Sequence, residues 1–164
     1  WASEISKPRR SYAAEKLAVR ILEDVESLAA RPEFAATFDC FFTAHVLEHV
    51  PQPSAVFNLA ARLVKPGGLF VSFTPNGSAE HRAASRGWSK LWGAVHPNFI
   101  DSEFLDRSFA AAPRFSTSTK RDPEWLQKLQ PPSAAAQSWS LESWELLFVA
   151  KLPPSGLWQE RRAA

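Results

Sequence analysis

The sequence predicts an α/β fold built on a doubly wound, mostly parallel sheet. Two apolar runs, "TFDCFFT" (Thr37 to Thr43) and "LFVSFT" (Leu69 to Thr74), have strand length, and a helical pattern separates them. The first run is too apolar for burial on one face alone, which predicts a strand covered on both faces, as in parallel sheets. A third run, "WELLFVAKL", reads as the closing strand.

Taken in order, "LAVRIL" is a short β-prone run ended by the acidic group Glu23, Asp24 and Glu26. After "TFDCFFT", the stretch "PQPSAVFNLAARLVKPGG" reads as a punctuated helix. Pro53 suits its first turn, and Val56, Leu59, Ala60 and Leu63 form the apolar face. Lys65 and Pro66 end it, and Gly67-Gly68 turn the chain into the next strand. The loop Pro75-Asn76-Gly77 follows, then an irregular stretch holding short helical pieces, with His81 expected at the surface. "DSEFLDRSFAAA" predicts a helix capped by Asp101 or Ser102, with Phe104, Leu105 and Phe109 inward. "RFSTSTK" reads as a strand, Pro131 to Gln137 as a loop, and the chain from Pro153 as an extended arm.

At 164 residues there is room for one domain with a real core. A net charge of +2, with no basic stripe, argues against nucleic-acid binding. The single cysteine, Cys40, excludes an internal disulfide and a cysteine-based zinc cluster, and inside an apolar run it reads as a small core residue. No run is long and apolar enough for a membrane span, and no secretory signal is visible, so a soluble intracellular protein of unread compartment is expected. There is no methionine, and the sequence begins at Trp1, which is expected of a processed, truncated or partial chain.

Ligands of such sheets bind beyond the carboxyl ends of the parallel strands. Those ends are Ser3 to Ser6, Glu23 to Val25, Thr43 to His45, and Thr74 to Asn76. One of them opens a cluster of ionisable groups, since His45, Glu48 and His49 read H-x-x-E-H. On a helix, His45 and His49 would share a face and could hold one zinc ion. Pro51 and Pro53 follow at once, so no long helix runs through the motif, and no metal site is expected. The remaining readings stay open: Glu48 caps backbone groups in the turn, His45 touches a cofactor, and His49 acts as a general base. His96, in "HPNF", is a second candidate base. Trp88 and Trp92, spaced i and i+4, either line a pocket or pack beneath a lid.

The ordered combination "FDCFFTAHVLEHVPQPSAVFNLAARLVKPGGLFVSFTPN" resembles the central segment of class I S-adenosylmethionine-dependent methyltransferases, in their small-molecule, ubiquinone-type branch. The resemblance extends through "EISKP", "EDVESL", "HPNFIDSEFLDRSF" and "WELLFVAKL", covering residues 1–152, with 153–164 as a tail. It implies a Rossmann-like sheet with an antiparallel last strand, S-adenosylmethionine as cofactor, and methyl transfer to a small-molecule acceptor. Glu4, with Ser6 in the same segment, matches the acid that holds the cofactor ribose. Asp24 and Val25 match the adenine contact, Ala44 and His45 lie beside the sulfonium, and His96 and Asn98 lie toward the acceptor.

The family's glycine-rich loop, first strand and first helix have no counterpart in this chain. That strand belongs between the family's second and fourth strands, so its neighbours are left with open edges. Three situations fit: sequence preceding Trp1, a second protein chain completing the sheet, or a degenerate relative. The alternative function is a catalytically inactive, methyltransferase-like scaffold subunit of a larger assembly.

Overall fold

A computed structural model describes residues 1–22, 24–93, 95–119, 137–138 and 140–153. Strands β1 (Ala2–Ser3) and β2 (Ile21–Leu22) pair in parallel as a small sheet, joined by helix α1 (Lys7–Lys16). The sequence reading did not anticipate α1: "KPRRSYAAEK" has no apolar stripe, and none of its residues is buried. Only Ile21 and Leu22 of "LAVRIL" form a strand.

Next come α2 (Glu26–Ala29), a 3-10 turn at Pro32–Phe34, β3 (Phe38–Ala44), α3 (Pro53–Leu63) and β4 (Val64–Pro75). They are followed by α4 (Ala79–Ala84), a 3-10 turn at Trp88–Leu91, and α5 (Ser102–Ser108). Strands β5 (Arg114–Thr119), β6 (Gln137–Ser138) and β7 (Glu145–Lys151) complete the described residues. Gln137 is therefore in a strand and not in the expected loop. The rest of that loop before it, and the arm beyond Pro153, lie outside the described residues.

The main sheet has the order β3-β4-β7-β5-β6. β3 pairs with β4 and β5 with β6 in parallel, while β7 is antiparallel to both β4 and β5. One strand therefore opposes the rest, and it is the closing strand, as the resemblance implied.

α3 stops at Leu63, before Lys65, and β4 starts at once at Val64, so Gly67-Gly68 lie within the strand and not in a turn ahead of it; Gly67 takes a positive φ of 79°. At Gly68 a Cβ would sit 2.7 Å from the Asp39 carbonyl oxygen and 2.5 Å from a Val64 methyl, so only glycine lets β4 run this close to β3.

The larger core lies between the sheet and helices α3 and α5. Phe57, Phe70, Phe109 and Phe148 interlock there, with Phe70 and Phe109 stacked at 5.0 Å and Phe57 edge-on to Phe109 at 4.9 Å. Phe57, absent from the expected helix face, is its largest buried side chain. Asp101 caps α5 by accepting from the Phe104 amide, as expected. On the other face of the sheet Val71, Phe73, Phe115, Leu147 and Val149 form a second cluster. Leu28 and Ala29 of α2 join Leu22, Phe38 and Phe41 around Leu63, tying the small sheet to the large one.

β3 departs from expectation. Cover on both faces belongs to β4 and β7, not to β3, where Asp39, Cys40, Phe42 and Ala44 are exposed, Phe42 at 55%. Cys40 is accordingly not a core residue. Nothing among the described residues pairs with the outer edge of β3 or covers that face. The His45 amide donates to the Phe73 carbonyl, so by strand alternation the Phe41 and Thr43 amides face β4 while those of Phe42 and Ala44 face the open edge.

Hydrogen exchange should read this alternation directly: Phe42 and Ala44 amides exchanging fast, Phe41 and Thr43 slowly. Equal protection along β3 would show a partner strand on its outer edge. Replacing Phe70 or Phe109 with alanine should destabilise the fold by about 3–5 kcal/mol in denaturant titrations, because either change opens a cavity in the aromatic core.

Candidate active site

The segment after β3 is a turn and not a helix: the His49 amide donates to the Val46 carbonyl, and no helix forms until Pro53. Asn98 holds this turn from outside. Its side-chain amide donates to the Leu47 and Val50 carbonyls, and its backbone amide donates to Glu48. The H-x-x-E-H residues therefore sit on a stapled loop, not on one helical face.

Glu48 lies at the centre and is fully buried. Among the described residues its carboxylate meets side chains and not the backbone groups of the turn, unlike the capping reading. Its Oε2 accepts from the Thr74 hydroxyl at 2.9 Å, and its Oε1 lies 3.1 Å from His45 Nδ1. Oε1 is also 3.9 Å from His49 Nε2. A buried carboxylate requires such partners, because removing it from water uncompensated costs several kcal/mol.

His45 faces a second fully buried carboxylate. Its Nε2 lies 2.9 Å from Oε1 of Glu145, the first residue of β7, and its ring stacks on Trp144. The sequence reading missed Glu145. Its signal was a lone carboxylate at the mouth of an apolar strand, easily taken for a surface residue.

The entrance to β7 is held by the "TPN" loop. Asn76, fully buried, donates to the Leu141 and Ser143 carbonyls and accepts from the Ser78 amide, while its own amide donates to Trp144. His81, expected at the surface, is instead buried on α4, with its Nδ1 2.7 Å from the Glu142 carbonyl.

His49 and His96 come together, with ring centroids 4.6 Å apart. His49 Nδ1 contacts the Val95 carbonyl, which places the ring proton on Nδ1 and leaves Nε2 as the basic nitrogen. Glu48, His49 and His96 bring one carboxylate oxygen and two imidazole nitrogens within 4.8 Å of one another. Such a set can share a proton or hold an ion with zinc's ligand preferences. Beyond His96 the aromatic row continues, with Trp92 stacked on Phe99 at 4.2 Å and Trp88 edge-on to Phe99.

The remaining candidates lie at the carboxyl ends of the small sheet and of β3. Glu4 follows β1, is half-buried, and accepts from the Ser6 amide through Oε1. Asp24 follows β2, is exposed, and accepts from the Ser27 amide, capping α2. Val25 packs into the cluster around Leu63. Because β1 and β2 are parallel and in register, Glu4 and Asp24 stand at the same end. Ala44 is the exposed last residue of β3.

A methyltransferase domain family model matches residues 3–112, two-thirds of the chain. The chain belongs to the class I S-adenosylmethionine-dependent methyltransferases. Over 75 residues it is 41% identical to the ubiquinone biosynthesis O-methyltransferase of Xanthomonas oryzae, a match covering 43% of this chain and 30% of that protein. The protein of the same description from Marinobacter nauticus is 45% identical over 49 residues, 29% of this chain and 21% of its own length. The matched part is thus less than a third of these curated relatives. The fold is shared with a SAM-dependent methyltransferase from Thermotoga maritima, at a TM-score of 0.59 and 18% identity, covering 91% of this chain and 70% of that one. A second, from Archaeoglobus fulgidus, gives 0.58 and 15%, covering 91% and 74%.

Membership of this family implies S-adenosylmethionine. The Glu4 carboxylate beyond β1 accepts from the Ser6 amide through Oε1, and a carboxylate has the acceptor capacity that a ribose diol needs. No glycine precedes Gly67, so the chain has no glycine-rich turn for the methionyl part. Among the described residues no helix is long and apolar enough to cross a membrane.

Cys40 is chemically quiet: partial burial, and then the Asp39 carboxylate, push its thiol above the ordinary range. Glu48→Ala removes the partner of both Thr74 and His45. It should cost roughly 3–5 kcal/mol in thermal or denaturant unfolding, more than any exposed carboxylate in the chain.

Proposed function

We propose that this chain forms the adenosine-side and acceptor-side parts of a methyltransferase acting on a hydroxyl of a small aromatic acceptor. The observation that carries this reading is the His49–His96 pair, set against buried Glu48 and continued by the aromatic row of Trp92, Phe99 and Trp88. Relatives described as ubiquinone biosynthesis O-methyltransferases support an oxygen acceptor.

Glu4 and Ser6 hold the ribose end of the cofactor, Asp24 and Val25 the adenine, and Ala44 and His45 the side nearest the sulfur. When bound, S-adenosylmethionine supplies a methyl group made electrophilic by a sulfonium. An oxygen nucleophile gains from losing its proton as it attacks in line. His49 Nε2 takes that proton, since Nδ1 is occupied by the Val95 carbonyl. Glu48 Oε1, 3.9 Å away, stabilises the imidazolium that results. His96 lies against the other ring and orients it. A flat acceptor rests against the aromatic row, where ring stacking contributes about 0.5–1.5 kcal/mol per contact.

The open edge of β3 is part of the same proposal. A further strand, from preceding sequence or from another protein chain, completes the sheet there and brings the missing cofactor contacts. A second reading rests on the Glu48-His49-His96 set, which could instead hold a divalent ion that binds the acceptor oxygens.

Calorimetry with S-adenosylhomocysteine tests the cofactor assignment, on the chain alone and with any encoded residues upstream of Trp1 restored. Binding in the restored form is expected. Absence of binding in both forms would favour an inactive scaffold. His49→Ala should lower kcat roughly 10²–10⁴-fold on a phenolic acceptor, with cofactor affinity unchanged. Activity should survive EDTA; loss that zinc or magnesium restores would reassign the cluster to a metal.

A further inference from the structure

The two imidazoles of the site come from two pieces of chain, and one side chain joins the pieces. His49 belongs to the loop after β3, while His96 and Phe99 belong to a segment that doubles back on itself. Gly93 and His96 exchange backbone hydrogen bonds there, with Gly93 at a φ of 134°, and the reversal lays Trp92 against Phe99. The residue of this segment that reaches across is Asn98.

Asn98 commits its donors to the loop after β3. Its side-chain nitrogen donates to the Leu47 carbonyl at 3.3 Å and to the Val50 carbonyl, 51 and 48 residues away. Its backbone amide donates to the Glu48 carbonyl at 3.3 Å. These carbonyls lie on both sides of His49 in sequence. A carboxamide has two N–H donors, so none is left to meet an acceptor, although the residue lies toward that side. The chain just beyond Asn98 is fixed to the body. The Gly77 amide donates to the Ile100 carbonyl at 2.9 Å, and Ile100 is buried in the larger core. A Cβ on Gly77 would stand 2.8 Å from that carbonyl oxygen, so the two segments meet at close quarters. Asn98 thus holds the loop after β3 to a segment itself anchored in the core. His49 needs such support, because its side chain is 47% exposed and reaches the segment through the Val95 carbonyl and the His96 ring.

We propose that Asn98 is a positioning residue for methyl transfer. It clamps the loop that carries His49 to the segment that carries His96 and Phe99, and so fixes the base against the aromatic row. Rate depends steeply on such placement, since a displacement of about 1 Å can cost roughly 10²-fold. The kinetic role rests on the reading of His49 as general base, while the clamp does not.

In the unaltered chain the Asn98 side-chain amide protons should exchange slowly by NMR, with nuclear Overhauser contacts between the His49 and His96 rings. Asn98→Asp keeps the shape but sets a carboxylate against the Leu47 and Val50 carbonyls; it should weaken the ring contacts and speed exchange of the His49 amide. Rapid exchange of the Asn98 side chain in the unaltered chain, or intact ring contacts in Asn98→Asp, overturns the clamp. With catechol as methyl acceptor, and any encoded residues upstream of Trp1 restored, kcat should fall roughly 10–10²-fold in Asn98→Asp, with S-adenosylhomocysteine affinity unchanged. In a His49→Ala background the same change should cost less than about twofold, because it acts through that residue. Equal losses in both backgrounds, or lost S-adenosylhomocysteine affinity, overturn the positioning role. If Asn98→Asp does not fold, Asn98→Ala gives the same comparison, and the unaltered chain still decides the clamp. A protein that transfers no methyl group defeats the base reading and the kinetic role with it, and the exchange and ring contacts then judge the clamp.

Discussion

A single carboxylate with no solvent exposure, Glu48, organises the working end of this molecule. A carboxyl group in that position is tolerable only when its oxygens are engaged, and each engagement fixes a different element. Thr74 ties it to the end of β4, and His45 ties it to the end of β3 and, through Glu145, to the start of β7. His49 then has one place to stand, between Glu48 and the Val95 carbonyl. The apolar core beneath supplies most of the stability, but it does not specify this corner. Hydrophobic packing is non-directional, and the polar contacts supply the direction.

The second constraint is the one-sided strand β3. Its inner edge is zipped to β4, with Gly68 permitting a close approach, while its outer edge and the face carrying Phe42 stand open. Long, flat, apolar edges of this kind invite pairing with another strand. Among the described residues the small β1–β2 sheet shares no ladder with the main sheet and packs onto it through side chains around Leu63. The two ends that carry Glu4 and Asp24 on one side and Ala44 on the other are thus related by side-chain packing, not by a continuous ladder.

Much of this was legible in the residues. The run before Ala44, the proline-led helix and the closing strand carry strong local signals, and each is found where expected, whereas Gly67-Gly68, expected as a turn, lie inside β4. Helix α1 was not legible, because its stability owes nothing to an apolar stripe. Nor was the exposure of β3: composition reports how apolar a strand is, not whether a neighbour covers it. His81 read as a surface residue because its partner, the Glu142 carbonyl, is 61 residues away. Glu145 was missed for the same reason. A buried charge is recognisable in sequence only when its partner is also local, as with His45 and Glu48.

The contact between His45 and Glu145 spans 100 residues. Closing so long a loop is entropically costly and slow, whereas the α3–β4 unit can form from neighbours. The corner around Glu48 is therefore complete only when β7 lies between β4 and β5. A chain interrupted before β7 would still possess the family's most recognisable motif, held by Thr74 and Asn98, yet His45 would lack its contact with Glu145. The motif and the contacts that complete the site are, in this fold, separated along the chain.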